Sequence, residues 1–117
     1  MATTPALERL NNAYFPGMSP VERRHPSVSP LHEDLLALAA STEKPLPPAL
    51  FLCGTEDALL DDTLLMGTKW MIAGGEAIVK IYPGAPHAFT TFVGLLVSEE
   101  ALDVAVRFVR DKLETVE

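Results

Sequence analysis

Residues 49–62 read ALFLCGTEDALLDD, and this stretch decides the fold. Its first five residues are all apolar, which is typical of a strand covered on both faces of a parallel sheet. Gly54 and Thr55 then begin a loop, and Asp57 follows within it. The stretch therefore predicts a strand over residues 49–53 that brings a carboxylate to the carboxyl edge of a sheet.

A second strand is predicted at residues 77–82, AIVKIY, where apolar residues alternate around a lysine. Between the two strands, apolar residues recur at helical spacing from Asp61 or Asp62, the candidate caps, to about Ala73. Two glycines at 74–75 supply a helix stop. Strand, helix and strand in this order predict a right-handed parallel βαβ unit.

The rest of the chain predicts three further helices around this unit. They cover about residues 3–14 with a threonine as cap candidate, residues 32–40, and residues 98–113 with Ser98 as cap. Proline-rich connections separate them. We therefore expect residues 1–117 to form a single α/β domain, with a short parallel sheet flanked by helices.

Composition and charge exclude several classes of function. The net charge of −7 opposes binding to nucleic acid. No apolar run is long enough to span a membrane, and the first residues do not resemble a secretory signal, so we expect a cytoplasmic location. The single cysteine, Cys53, cannot form an internal disulfide or a cysteine-based zinc site, and its apolar surroundings predict a core residue.

The histidine in IYPGAPHAF, residues 81–89, gives Asp57 a partner. His87 and Asp57 both follow the ends of predicted strands, and adjacent strands lie about 5 Å apart. A hydrogen bond between the two side chains is therefore within reach, and it would orient the imidazole as a general base. The alternative is that Asp57 only forms a turn or caps a helix and that His87 is a surface residue.

Other polar and aromatic residues give no second site. His25, His32 and Glu33 do not match the ligand spacing of a known metal site. Trp70 and Met66 fall on the helix between the strands, where packing is the expected role. We expect neither a metal nor a cofactor.

Three segments resemble a known family, and the resemblance runs from about Leu10 to the end of the chain. YFPGMSPVERRHPSVSPLHEDL, PPALFLCGTEDALLDD and IYPGAPHAF are similar to the C-terminal third of α/β-hydrolase-fold esterases and lipases of the hormone-sensitive-lipase-like branch. The resemblance implies that Asp57 is the acid and His87 the base of a Ser-His-Asp triad. It also implies carboxylic-ester hydrolysis of a small ester or acyl substrate.

The sequence departs from the family pattern upstream of Asp57. Family enzymes carry a Gly-x-Ser-x-Gly nucleophile elbow and a His-Gly-Gly oxyanion-hole motif, and neither occurs here. No serine before Asp57 lies between a predicted strand and helix; these serines are Ser19, Ser27, Ser29 and Ser41. Ala88 replaces the glycine that usually follows the histidine, which we take as a mild change.

These departures leave three functional interpretations open. The first is an esterase or lipase family member that supplies the Asp-His pair and is inactive alone. The second is a non-catalytic, oligomerising scaffold, and the third is a serine-independent acid–base catalyst that uses His87 and Asp57. Because a two-stranded sheet has open edges, we also expect the chain to form a homo-oligomer or to bind a chain that supplies the missing sheet.

Overall fold

The structure of the protein is a computed structural model that describes residues 5–114. Those residues form four α-helices and two strands, in the order α1 (Pro5–Tyr14), α2 (Leu35–Ser41), β1 (Ala49–Gly54), α3 (Leu60–Ile72), β2 (Ala77–Tyr82) and α4 (Leu96–Glu114). Three short 3-10 helices lie at Glu22–Arg24, Pro30–His32 and Phe89–Thr91.

The two strands form a parallel sheet with α3 as the crossover between them. Their register runs from Ala49 opposite Ala77 to Gly54 opposite Tyr82. Both strands therefore end at the same edge of the sheet. The predicted fold class, α/β with a short parallel sheet flanked by helices, is confirmed.

Helix α3 packs on one face of the sheet through a glycine. A Cβ on Gly67 would lie 2.4 Å from Val79 Cγ2 and 3.6 Å from Phe51 Cδ2, so only glycine leaves room for the helix at this distance. The Trp70 ring meets the Phe51 ring edge to face at 6.3 Å, and its indole N–H donates to the Pro47 carbonyl. Trp70 is thus a packing residue, as predicted.

Helix α4 packs on the opposite face, where the main apolar core lies. Successive residues of a strand point to opposite faces, so Leu52 faces away from α3. Leu52 packs against a core of four buried residues, Tyr82, Ala85, Phe89 and Ala101. Cys53 is also buried, in agreement with its predicted place in the core.

The predicted helix caps differ from the observed ones. Asp61 and Asp62 lie in the first turn of α3, and Leu59 occupies the cap position, because Asp57 already accepts the Leu59 amide upstream. Ser98 lies inside α4 and its hydroxyl donates to a buried carbonyl oxygen in the loop before the helix. The predicted threonine cap before Pro5 lies outside the described residues.

Helix α2 begins later than predicted because a polar residue before it caps it. The Asp34 carboxylate accepts the Ala37 amide at 3.0 Å, and the preceding Pro30–His32 forms a separate 3-10 turn. The Lys69 ammonium of α3 donates to the carbonyl oxygens of Leu31 and Glu33. These bonds hold the segment before α2 against α3.

The prediction that β1 is covered on both faces is wrong for most of its length. Residues 49–52 are only partly buried, because the sheet among residues 5–114 has two strands.

The radius of gyration is 16.3 Å, against about 13 Å for a compact chain of this length. The accessible surface of 8378 Å² likewise exceeds the roughly 6,200 Å² of a compact monomer of this mass.

Candidate active site

Asp57 lies in a tight turn directly after β1. Its N–H donates to the Gly54 carbonyl at 3.2 Å, and its Oδ1 accepts the Leu59 N–H at 2.8 Å. The side chain is only 10% exposed. Its carboxylate is therefore held in one orientation by the backbone that leads into α3.

His87 lies in the corresponding loop after β2. The loop turns at Gly84, which has a positive φ of 73°, and it is anchored after the histidine by Phe89, which is 3% exposed. The His87 side chain itself is 69% exposed. The loop therefore presents the imidazole at the surface while its ends stay close to the core.

Ala88 adopts a left-handed backbone conformation with φ 56° and ψ 27°. It is the only residue other than glycine with a positive φ among residues 5–114. An L-residue with a Cβ pays roughly 1–2 kcal/mol for this conformation. The replacement of the family's glycine by Ala88 is therefore a larger change than the mild one expected from the sequence.

The structure brings Asp57 and His87 together at hydrogen-bond distance. His87 Nδ1 lies 3.0 Å from Asp57 Oδ2 and 3.1 Å from Oδ1. An ionised carboxylate can only accept hydrogen bonds, so in a neutral imidazole the proton belongs on Nδ1 and Nε2 keeps its lone pair. The pair can thus hold a neutral imidazole in the tautomer suited to general-base chemistry at Nε2.

Three backbone-linked contacts join the two loops. Thr55 Oγ1 accepts the Gly84 N–H at 2.7 Å, and the Thr55 N–H donates to the Tyr82 carbonyl at 3.0 Å. The Glu56 N–H donates to the Ala85 carbonyl at 3.1 Å. The two loops therefore behave as one connected unit. These contacts were not predicted from the sequence. The only sequence feature that indicates them is Thr55, between Gly54 and Asp57.

Gly54 allows the two loops to approach closely. A Cβ at this position would lie 1.9 Å from the Ala85 carbonyl oxygen, well inside any allowed contact. Gly54 was predicted only as the start of a loop. Its chemical role is to let the loop after β2 cross directly over the end of β1, which sets the separation of the two site residues.

An ion pair stabilises the α4 face of the sheet. Lys80 of β2 pairs with Glu100 of α4. The hydrogen bond from Lys80 lowers the pKa of the Glu100 carboxyl, and the same bond raises the pKa of Lys80. Burial raises the pKa of the neighbouring Tyr82 hydroxyl.

The part of the chain that the structure describes contains no group of three or more metal-ligating side chains. The His25 ring nitrogen instead lies 2.7 Å from the Ser27 hydroxyl, and Glu33 accepts the amide of the next residue. No helix in residues 5–114 has the length and apolarity needed to cross a bilayer.

Comparisons with known proteins show the fold family of the chain. A family described as having the alpha/beta hydrolase fold matches residues 1–91. An acetyl-hydrolase of Streptomyces hygroscopicus is 31% identical over 108 residues, which are 92% of this chain and 32% of that protein.

Solved structures give the same result. A thermophilic and thermostable carboxylesterase from a metagenomic library is 30% identical with a TM-score of 0.68, over 81% of this chain and 30% of that chain. A hormone-sensitive-lipase homologue from a metagenome library shares the fold at 24% identity and a TM-score of 0.77, over 96% of this chain and 35% of that chain.

The chain spans about a third of the length of the relatives that it matches. The family match covers more than half of the chain. The chain therefore belongs to the α/β-hydrolase fold family.

Proposed function

We propose that Asp57 and His87 are the acid and base of a carboxylic-ester hydrolase. The observation that carries the proposal is the 3.0 Å contact between His87 Nδ1 and the nearly buried Asp57 carboxylate. The carboxylate fixes the tautomer and stabilises the imidazolium that forms during reaction. The exposed imidazole leaves Nε2 accessible to a nucleophile.

In each half of the proposed reaction, His87 acts first as a base and then as an acid. Nε2 removes the proton of a hydroxyl nucleophile as its oxygen attacks the ester carbonyl, and then gives that proton to the departing alcohol. In the second half of the reaction, Nε2 removes a proton from water as the water oxygen attacks the acyl group. Nε2 then gives that proton to the oxygen of the hydroxyl nucleophile, and the carboxylic acid is released. Asp57 remains ionised throughout and keeps Nδ1 protonated.

We propose further that the 117 residues alone do not hydrolyse esters by this route. They contain neither a Gly-x-Ser-x-Gly nor a His-Gly-Gly motif, so the nucleophile and the oxyanion-hole donors must come from other polypeptide. The cytoplasmic location and the single domain over residues 1–117 stay predictions.

Hydrolysis of p-nitrophenyl acetate by the purified chain tests the second statement. We expect no turnover and no labelling by a fluorophosphonate. Turnover that is lost in His87→Ala and Asp57→Asn without any labelling would favour serine-independent acid–base catalysis. Turnover that survives both substitutions would contradict a role for the pair.

A hybrid enzyme tests the first statement. This chain replaces the matched 30% of the thermostable carboxylesterase, so that the rest of that protein supplies the nucleophile implied by the family resemblance. We expect ester hydrolysis that falls about 10⁴-fold in Asp57→Asn, by analogy with loss of the acid in serine proteases. His25→Ala, which removes an exposed histidine elsewhere, is the matched control. If the chain is a scaffold without catalytic function, Asp57→Asn should leave the ester hydrolysis of the hybrid unchanged.

A second proposal concerns partners: we infer that the free edge of β1 pairs with a further strand. The N–H groups of Ala49 and Thr55 donate toward β2, so by alternation those of Leu50 and Leu52 point away from it. An unpaired strand edge binds other strands readily. On α4, an exposed apolar row at helical spacing adds surface for such an assembly; it comprises Leu102, Val106, Val109 and Leu113.

Light scattering at micromolar concentration tests the pairing. We expect a mass above the 12.7 kDa of one chain. Leu50→Pro should shift the protein toward the monomer because it removes an outward N–H and leaves the bonds to β2 intact. Leu50→Val is the control that keeps the N–H. A monodisperse wild-type monomer would contradict self-association, and would leave only a different chain as the source of the strand.

A further inference from the structure

We propose that Thr55 and Ser98 are positioning residues that hold the loop carrying His87 at its two ends. The proposal rests on the proposed function of Asp57 and His87 and names the residues that set their geometry. Neither hydroxyl contacts the imidazole. Each acts through the backbone on one side of His87.

The first end is fixed by Thr55. Its hydroxyl oxygen accepts the N–H of Gly84, three residues before His87, at 2.7 Å. Gly84 is held at a φ of 73°, so the turn at this point has a defined and unusual backbone shape. Thr55 lies two residues before Asp57. Its side chain therefore connects the turn at Gly84, which precedes His87, to the turn that contains Asp57.

The second end is fixed by Ser98. This residue is 1% exposed, and its hydroxyl donates to the Phe89 carbonyl, two residues after His87, at 2.7 Å. The Phe89 ring also packs against the Tyr82 ring, with centroids 5.0 Å apart. A hydroxyl buried in an apolar core is favourable only when it is hydrogen-bonded, so this bond couples the loop to α4.

Between these ends, the loop is held through its backbone carbonyls: that of Ala85 accepts the Glu56 N–H, and that of Ala88 accepts the Thr91 N–H and hydroxyl. Residues 86–88 are exposed, and Ala88 adopts a left-handed conformation that alanine disfavours. The imidazole is not enclosed by packing, since it is 69% exposed. The loop backbone therefore sets the distance of the imidazole from Asp57, and Thr55 and Ser98 are the side chains that bond to this backbone on the two sides of His87.

The tautomer of His87 reports this positioning without any substrate. The ¹⁵N chemical shifts of the imidazole distinguish a proton on Nδ1 from one on Nε2, and His87→Gln identifies the signals. We expect the Nδ1–H form to dominate in the wild type. Thr55→Val should lower the ratio of Nδ1–H to Nε2–H about fivefold, the effect of losing one ordinary hydrogen bond. Thr55→Ser, which keeps the hydroxyl, should restore it.

Matched controls separate positioning from general loss of stability. Thr68→Val removes a hydroxyl that donates within α3, and it should leave the ratio unchanged. Ser98→Ala should lower the ratio in the same direction as Thr55→Val, whereas Ser41→Ala, which removes a hydroxyl bonded within α2, should not.

Two outcomes would overturn the proposal. The first is an unchanged ratio in folded Thr55→Val and Ser98→Ala, and the second is an equal change in Thr68→Val. If Thr55→Val does not fold, Ser98→Ala decides the question from the other end of the loop. A hybrid enzyme without ester hydrolysis would count against the proposed function alone, because the tautomer ratio is measured without turnover.

Discussion

Replacing Ala88 by glycine should stabilise the protein. The backbone at Ala88 has φ 56° and ψ 27°, where a Cβ costs about 1–2 kcal/mol. Glycine removes this strain but gives the unfolded chain more freedom, which costs about 0.4–1 kcal/mol. The difference centres on a gain of about 0.8 kcal/mol, or a rise in Tm of about 3 °C for a chain of this size. The Thr91 bonds to the carbonyl of residue 88 are kept by glycine.

Urea unfolding at one fixed protein concentration, followed by the fluorescence of Trp70, measures this gain. Ala37→Gly is the matched control, because Ala37 is exposed within α2 and the same substitution there should cost about 0.5–1 kcal/mol. The two variants should therefore change stability in opposite directions. A loss of stability in Ala88→Gly similar to that in Ala37→Gly would refute the strain attributed to the left-handed conformation.

Three further substitutions test the packing and charges of the fold. Gly67→Ala should cost about 1–3 kcal/mol because its Cβ would lie 2.4 Å from Val79 Cγ2; in a urea double-mutant cycle Val79→Ala should recover part of this loss, and additive effects would exclude the clash. The Lys80 bond lowers the pKa of Glu100 below its ordinary 4.5, so it stabilises the fold above that pH and less as pH falls through the lowered pKa. Wild type and Glu100→Gln should thus differ in unfolding free energy at pH 7, and this difference should shrink as pH falls through the lowered pKa of Glu100; a difference that stays constant with pH would contradict this role of the ion pair. Lys69→Met should lower the urea midpoint, because it removes two hydrogen bonds to carbonyl oxygens worth about 1–3 kcal/mol together, and an unchanged midpoint would contradict their importance.

The elements that follow local patterns could be predicted from the sequence. The apolar run at 49–53 and the alternation at 77–82 predicted strands that the structure places at Ala49–Gly54 and Ala77–Tyr82. Asp57 and His87 could be paired because each follows a strand end, and strands paired in parallel end at one edge. Period and polarity along the chain are enough for this level of detail.

Features that depend on distant residues could not be predicted. Ser98 has the residue type of a helix cap, but its hydroxyl donates to the Phe89 carbonyl in the loop before α4. The need for glycine at position 54 depends on the path of Ala85 over the end of β1, which no local pattern encodes. The burial of β1 depends on how many strands flank it. An apolar run in the sequence does not encode the number of strands in the sheet.

The bond between Asp57 and His87 closes a loop of 30 residues, and the 13 residues of α3 lie within that loop. Closing a flexible loop of this length costs about 3 kcal/mol in chain entropy, and a helix inside it shortens the span that must be closed. The acid, the base and the two positioning residues, Thr55 and Ser98, all fall within residues 55–98. A recombination event outside this segment would therefore transfer the pair together with both hydroxyl groups that we propose to hold its geometry.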